Sequence, residues 1–253
     1  VDDEKNGLHV TPKLLSGIPA GDAPKGTPTA HAARVRGVVH EGCRPFHLSM
    51  AFILESRQPI TSPCRLEKEP TMILASSRLL LAPWTERDLA PFAALNADPD
   101  VMRYFPKTMT EEESNALVDR LRGMWADHGY GFSAVRRRED DAFIGMVGIQ
   151  KVLNPAYPFA PAVEVGWRLA KAFWRHGYAS EAARAALAHG FDVLGLDEIV
   201  AFTAVPNLPS QAVMKSLGMT RNPTDDFLHP LLAEDHPLRP HVLYRLKRDD
   251  FQR

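Results

Sequence analysis

Residues 163–182 read Val163-Glu164-Val165-Gly166-Trp167-Arg168-Leu169-Ala170-Lys171-Ala172-Phe173-Trp174-Arg175-His176-Gly177-Tyr178-Ala179-Ser180-Glu181-Ala182. The stretch Ala162–Leu169 predicts a strand, and the alanine-rich run Tyr178–Leu194 predicts a helix. The loop between them ends at Gly177, which has no Cβ to keep a ligand away from the backbone. A helix that starts this way presents unpaired N–H groups and the positive end of its macrodipole, which suits a diphosphate. Arg175 and His176 add charge at the same place. Many strand–loop–helix junctions bind nothing, so on these residues alone phosphate binding and a purely structural use stand side by side.

Outward from this junction the pattern is α+β. Ser77–Trp84 predicts a first strand that stops at a proline, and Thr85-Glu86-Arg87-Asp88 opens a helix through Leu89, Phe92 and Leu95 to Asp98-Pro99. Thr110-Glu111-Glu112-Glu113 is a capping box ahead of a helix carrying Leu117, Leu121, Met124, Trp125 and His128 at helical spacing. Strands follow at 131–137 and 142–150, separated by turn-rich segments at 138–141 and 154–161. Beyond the central helix come a strand (Glu198–Ala204), a short helix (Ser210–Leu217) and a last strand (Val242–Lys247). This order predicts one domain over 72–253, a central mixed β-sheet flanked by helices.

Residues 1–71 differ in texture. They hold 8 of the 21 prolines and 6 of the 16 glycines, and too little apolar surface to offset ordering entropy. Two readings stand: a disordered extension, or residues ahead of a true start at Met72 or Met50.

Composition narrows the function. With 30 basic against 31 acidic residues, the chain lacks the basic excess expected of a nucleic-acid binder. The charge of Arg136-Arg137-Arg138 is cancelled by Glu139-Asp140-Asp141. The two cysteines, Cys43 and Cys64, argue against a disulfide framework, and no His-x-x-x-His spacing points to a metal. The longest apolar run is too short to cross a bilayer, and the N-terminus does not read as a secretory signal, so a cytoplasmic protein is expected.

Residues 163–182 resemble the acetyl-coenzyme A signature of the Gcn5-related N-acetyltransferase (GNAT) superfamily, in the form seen in its ribosomal-protein alanine/serine N-acetyltransferase branch: Glu-x-Gly-Trp/Tyr, then Trp-x-x-Gly-Tyr-Ala-Ser/Thr-Glu-Ala. A second block, Asn207-Leu208-Pro209-Ser210 through Lys215-Ser216-Leu217-Gly218, is similar to the family's Asn-x-x-Ser element, with one extra residue between lysine and glycine. A third, Asp226-Phe227-Leu228-His229-Pro230 running on to His241-Val242-Leu243-Tyr244, resembles the branch's His-Pro loop and last strand. Three blocks in order are far more specific than any one, and the resemblance as a whole covers about residues 76–248.

The resemblance implies acetyl transfer from acetyl-coenzyme A to a primary amine, on a protein N-terminus or a small molecule. It implies that the amides of Arg175, His176, Gly177, Tyr178, Ala179 and Ser180 hold the diphosphate, and that the strand edge at Val165, Trp167, Arg168 and Leu169 pairs with the pantetheine. Asn207 and Ser210 become cofactor contacts, although both also suit a helix cap. Glu164 is the leading candidate for general base, with His229, Asp226 and His241 as competitors. Many relatives place a thiol-protonating tyrosine where this chain has Met214, which makes Ser210 the candidate for that task. Tyr104, Phe105, Tyr130, Phe132 and His229 are expected around the acceptor, while Trp125 suits the core. A non-catalytic acyl-coenzyme A sensor or scaffold is the alternative, and homodimerisation stays open.

Overall fold

The capping box forms as its spacing predicts. Thr110 Oγ1 accepts from the Glu113 amide at 3.3 Å, and Glu113 Oε2 accepts from the Thr110 amide at 3.0 Å. The helix it starts, α2 (Glu111–His128), ends at Gly129 in the left-handed conformation that glycine adopts without a Cβ clash. It follows α1 (Leu89–Ala97), which is entered through a 3₁₀ turn at Glu86–Asp88.

The computed structural model describes residues 73–252; the expectations for residues 1–71 lie outside them. Its strands are β1 (Leu74–Ala75), β2 (Leu79–Ala82), β3 (Phe132–Arg137), β4 (Phe143–Val152), β5 (Ala162–Leu169), β6 (Glu198–Ala204), β7 (Thr220–Arg221), β8 (Phe227–Leu228) and β9 (Pro240–Lys247). Two more helices, α3 (Tyr178–Asp192) and α4 (Leu208–Ser216), follow β5 and β6. The strands form one mixed sheet in the order β1-β2-β3-β4-β5-β6-β9-β7, with β8 against β9. Among the described residues only β5 and β6 run parallel. Among the described residues no helix is long and apolar enough to cross a membrane.

The alternation of each strand divides the core. One face carries Ile144, Val147, Val165, Trp167, Leu169 and Ala201 beneath α3 and α4. On the other, Phe132, Ala134 and Met146 pack against α1 and α2, while Val152, Val200, Phe202 and Leu243 form a separate aromatic-rich cluster with Tyr157 and Phe227.

The structure differs from the expected elements at their edges. The last helix starts at Leu208, two residues early, because Asn207 caps it and Pro209 falls in the first turn, where a missing N–H has no cost. The two-residue strands β1, β7 and β8 are too short to show periodicity and were not expected.

A buried ion pair fastens α1 to the sheet. Asp88 Oδ2 accepts from the amide and the hydroxyl of Thr85, at 2.8 and 2.7 Å, and Asp88 Oδ1 accepts from Arg136 of β3. Both side chains are almost fully buried. Replacing Asp88 with alanine strands the Arg136 charge, and removing one partner of such a pair costs about 3–5 kcal/mol. We expect Asp88→Ala to lower the urea midpoint by that much stability with an unchanged m-value.

Candidate active site

β4 and β5 pair along eight consecutive positions, from Val152–Ala162 to Gly145–Leu169. β5 and β6 share only one registered pair, Glu164–Val200. Past that pair, towards the C-terminal end of β5, no further register between the two strands is recorded. Backbone amides and carbonyls require partners, and an open strand edge is a ready template for an extended ligand.

The C-terminal end of β5 leads to the turn before α3. Arg175 and Gly177 both have positive φ, 63° and 76°. Trp174 Nε1 donates to the Leu169 carbonyl at 2.8 Å, and His176 Nδ1 donates to the Trp174 carbonyl at 2.6 Å, which fixes the loop's course. The first-turn amides of Tyr178, Ala179 and Ser180 have no acceptor four residues back and point out of the helix end. A Cβ built on Gly177 meets only Arg78 Nη2, at 3.5 Å, so the space before the turn is open. A hollow lined by Leu169, Trp174, Gly177, Ala179 and Val213 faces it. On its other side lies a cavity of about 390 Å³ with Arg78, Arg137, Arg138 and Tyr178 in its wall.

Glu181 anchors this end of α3. Its carboxylate accepts from Ser76 Oγ at 2.7 Å, Ser77 Oγ at 3.0 Å, the Arg78 amide at 2.8 Å and Arg78 Nε at 2.7 Å. Burial pushes this carboxyl up, but the hydrogen bonds outweigh it and hold the group at about 2. A depressed folded pKa contributes stability that is complete above the unfolded carboxylate range and is lost as pH falls towards 2. Glu181→Gln is therefore expected to flatten the fall in stability between about pH 4.5 and 2, read from thermal unfolding across pH; an unchanged acid slope refutes the anchoring role.

The opposite face of β5 carries Glu164 and Arg168, both buried. Gln150 Nε2, directly across on β4, donates to Glu164 Oε1. Arg168 donates to Asn96 Oδ1 of α1 and stacks on Phe105, its guanidinium carbon 4.2 Å from the ring centre. Burial lowers its pKa to about 9. In the aromatic cluster, Tyr157 Oη lies 2.9 Å from His229 Nε2, and the His229 and His241 rings are 4.8 Å apart. Burial lowers the pKa of His229 to about 3, with His241 contributing, and burial lowers that of His241 to about 4.

Asn207 caps α4. Its Oδ1 accepts from the Ser210 amide at 3.3 Å, and its Nδ2 donates to Thr203 Oγ1 at 2.8 Å and Ser210 Oγ at 3.1 Å. The Ser210 oxygen thus accepts from Asn207, and its own proton is turned away from that amide. Met214 lies one turn on in the same helix, buried in the α3-side core.

The expected residues do not all meet. Asn207 and Ser210 are joined directly, and Glu164 and His229 lie on the same face of the sheet. Tyr130 packs in the α3-side cluster and Phe132 in the α1–α2 cluster, so these two do not line one pocket. Tyr104 is half-buried, whereas Phe105 is buried over Arg168. Trp125 is core as expected, donating to the Phe132 carbonyl at 3.2 Å. Asp226, a competitor for base, is held by Arg221, with Nε 3.0 Å from Oδ1. Tyr157, Gln150 and Asn96 went unread in the sequence: each gains its neighbours only by long-range pairing. Among the described residues no cluster of three or more His, Cys, Asp or Glu side chains is arranged to hold a metal.

Comparison with known proteins matches residues 78–220 to an acetyltransferase (GNAT) domain. An uncharacterised N-acetyltransferase of Bacillus subtilis, YnaD, is 33% identical over 151 residues, 59% of this chain and 84% of that protein. The FsC-acetyl coenzyme A-N(2)-transacetylase of Aspergillus fumigatus is 30% identical over 160 residues, 61% of this chain and 67% of that protein. A GNAT-family acetyltransferase from Bacillus anthracis superposes with a TM-score of 0.60 at 25% identity, covering 70% of this chain and 99% of the other.

Proposed function

The chain belongs to the acetyltransferase (GNAT) family and is an acetyltransferase, and on that premise we propose that it transfers the acetyl group of acetyl-coenzyme A to a primary amine, on a protein N-terminus or a small molecule. The observation that carries this reading is the single registered pair between β5 and β6, set beside an open turn at the start of α3. An extended pantetheine fits beside β5, past its registered pair with β6, as an added strand, and a diphosphate fits the amides of 175–180. The arginine-walled cavity beside the turn adds positive charge for the coenzyme's phosphates. The FsC transacetylase named above is a relative whose name joins this coenzyme to transfer onto nitrogen. Residues 163–182 support a place in the ribosomal-protein alanine/serine branch.

The chemistry needs an amine in its neutral form and, afterwards, a proton for the sulfur. Glu164 takes the ammonium proton, leaving the nitrogen lone pair free to attack the thioester carbonyl carbon. As the carbon–sulfur bond breaks, the electron pair goes to sulfur. Ser210 supplies a hydrogen bond to that sulfur and relays a proton to it from water, which recovers one from the newly acylated nitrogen, because Met214 has none to give. Of the competing bases, Asp226 is committed to Arg221, and His229 and His241 have lost basicity through burial.

Thiol release from acetyl-coenzyme A in the presence of an amine panel tests the assignment: release that depends on the amine supports it, and coenzyme binding without release refutes it. Ser210→Ala is expected to lower kcat well beyond tenfold at near-constant coenzyme affinity, and Glu164→Gln to remove the rise of rate with pH. Acid–base groups of this kind contribute about 100- to 10,000-fold. Gly177→Val places a branched side chain at a left-handed position before the turn and is expected to weaken coenzyme A binding in calorimetric titration.

A further inference from the structure

On the face of the sheet that carries Glu164, other buried acceptors have donors. Asn96 Oδ1 accepts from Arg168, and His229 Nδ1 accepts from the Leu231 amide at 3.3 Å. Gln150 differs. It lies directly across from Glu164 on β4, and its Nε2 donates to Glu164 Oε1. Its own Oε1, however, is buried and accepts no hydrogen bond. Buried side-chain oxygens are nearly always paired, so this one calls for a donor from outside the chain.

The neighbour fixes which end of the amide is left over. A carboxylate ready to take a proton can only accept hydrogen bonds, so the NH₂ end of Gln150 must face it. The observed contact has that sense. Nε2 and Oε1 share one carbon, which keeps the unmet oxygen beside the Glu164 carboxylate. Only 5% of Gln150 is exposed, so the side chain does not reach bulk solvent for its missing partner. Gly166, the next residue of β5 on the same face, adds no side chain between Glu164 and Arg168.

We infer that Gln150 binds the acceptor amine: Nε2–H holds the Glu164 carboxylate, and Oε1 accepts an N–H from the same nitrogen whose proton Glu164 takes. This rests on Glu164 as the base and adds a second contact to the reacting nitrogen. An ammonium group brings three N–H donors and no acceptor, which matches a carboxylate and an amide oxygen side by side. One proton passes to Glu164, and its bonding pair stays on nitrogen as the lone pair that attacks the thioester. A second N–H stays on Gln150 and limits how the nitrogen can turn. The third is uncommitted. A quaternary ammonium can make neither contact, so the pair selects amines by their N–H groups and not by charge alone.

In the full chain labelled with ¹³Cδ-glutamine and saturated with coenzyme A, the Gln150 signal is the one lost in both Gln150→Met and Gln150→Glu. Methylammonium and tetramethylammonium chloride are the probes, equal in charge, with and without N–H. Methylammonium is expected to shift the Gln150 carbonyl carbon saturably, and tetramethylammonium to leave it in place. In turnover assays with an amine of the panel, Gln150→Met keeps the side-chain volume and removes the amide. It should lower kcat/KM for the amine about tenfold or more, the effect of losing a hydrogen bond to a charged group, while coenzyme A affinity by calorimetric titration stays unchanged. A Gln150 signal that methylammonium does not move, or that both cations move alike, overturns the inference, as does wild-type kcat/KM in Gln150→Met; all three leave the base assignment intact. A shift with methylammonium alone, joined to the fall in kcat/KM, supports it even if Glu164→Gln keeps the rise of rate with pH, a result that instead removes Glu164 as the base.

Discussion

A parallel pair that keeps register at one position is the constraint on which the rest of this structure depends. Parallel neighbours cannot be joined by a tight turn; the chain must cross over the sheet, and here it does so through α3. The crossover fixes where the start of α3 lands, namely at the end of β5. The helix-end amides and the C-terminal end of β5 are therefore neighbours by topology. Gly177 and Arg175, at positive φ, allow the chain to change direction within three residues without blocking the space before the turn.

The sheet separates two chemical environments. Under α3 and α4 the sheet face is apolar, and its large side chains, Trp167 and Leu169, pack towards the helices. On the other face buried polar groups interrupt the hydrophobic packing: Glu164, Gln150, Arg168 and Asn96. Each is expensive to bury without a partner. Arg168 meets the amide oxygen of Asn96 and the π face of Phe105 in place of a carboxylate. Asn96 in turn donates to Ser114 at 2.9 Å, which ties β5 to both α1 and α2. The polar face thus positions the helices that close over it.

Local signals in the sequence were read well because local physics made them. The Thr110 capping box and the glycine before Tyr178 depend on residues within a few positions of each other, and both appear as expected. The Asn207 cap does too, although the proline inside its first turn shifted the apparent start of α4. Long-range placement was not legible. Tyr130 precedes β3 and packs in the α3-side cluster, whereas Phe132 opens the strand in the α1–α2 cluster, and no short motif warns that they cannot share a pocket. Tyr157 sits in a turn-rich loop that reads as a plain connector; its meaning comes from His229, 72 residues away.

The two buried histidines show how one cluster of residues divides acid–base roles. His229 and His241 sit 4.8 Å apart among Tyr157, Phe202 and Phe227, where a charge on either ring is opposed by desolvation. Burial holds both imidazoles well below their ordinary range, which lowers their basicity and favours the neutral ring. Glu164 stands on the strand next to this cluster with a hydrogen bond from Gln150. An environment that discharges imidazoles would also discharge a carboxylate unless donors faced it, since burial disfavours either charged form. Gln150 is one such donor.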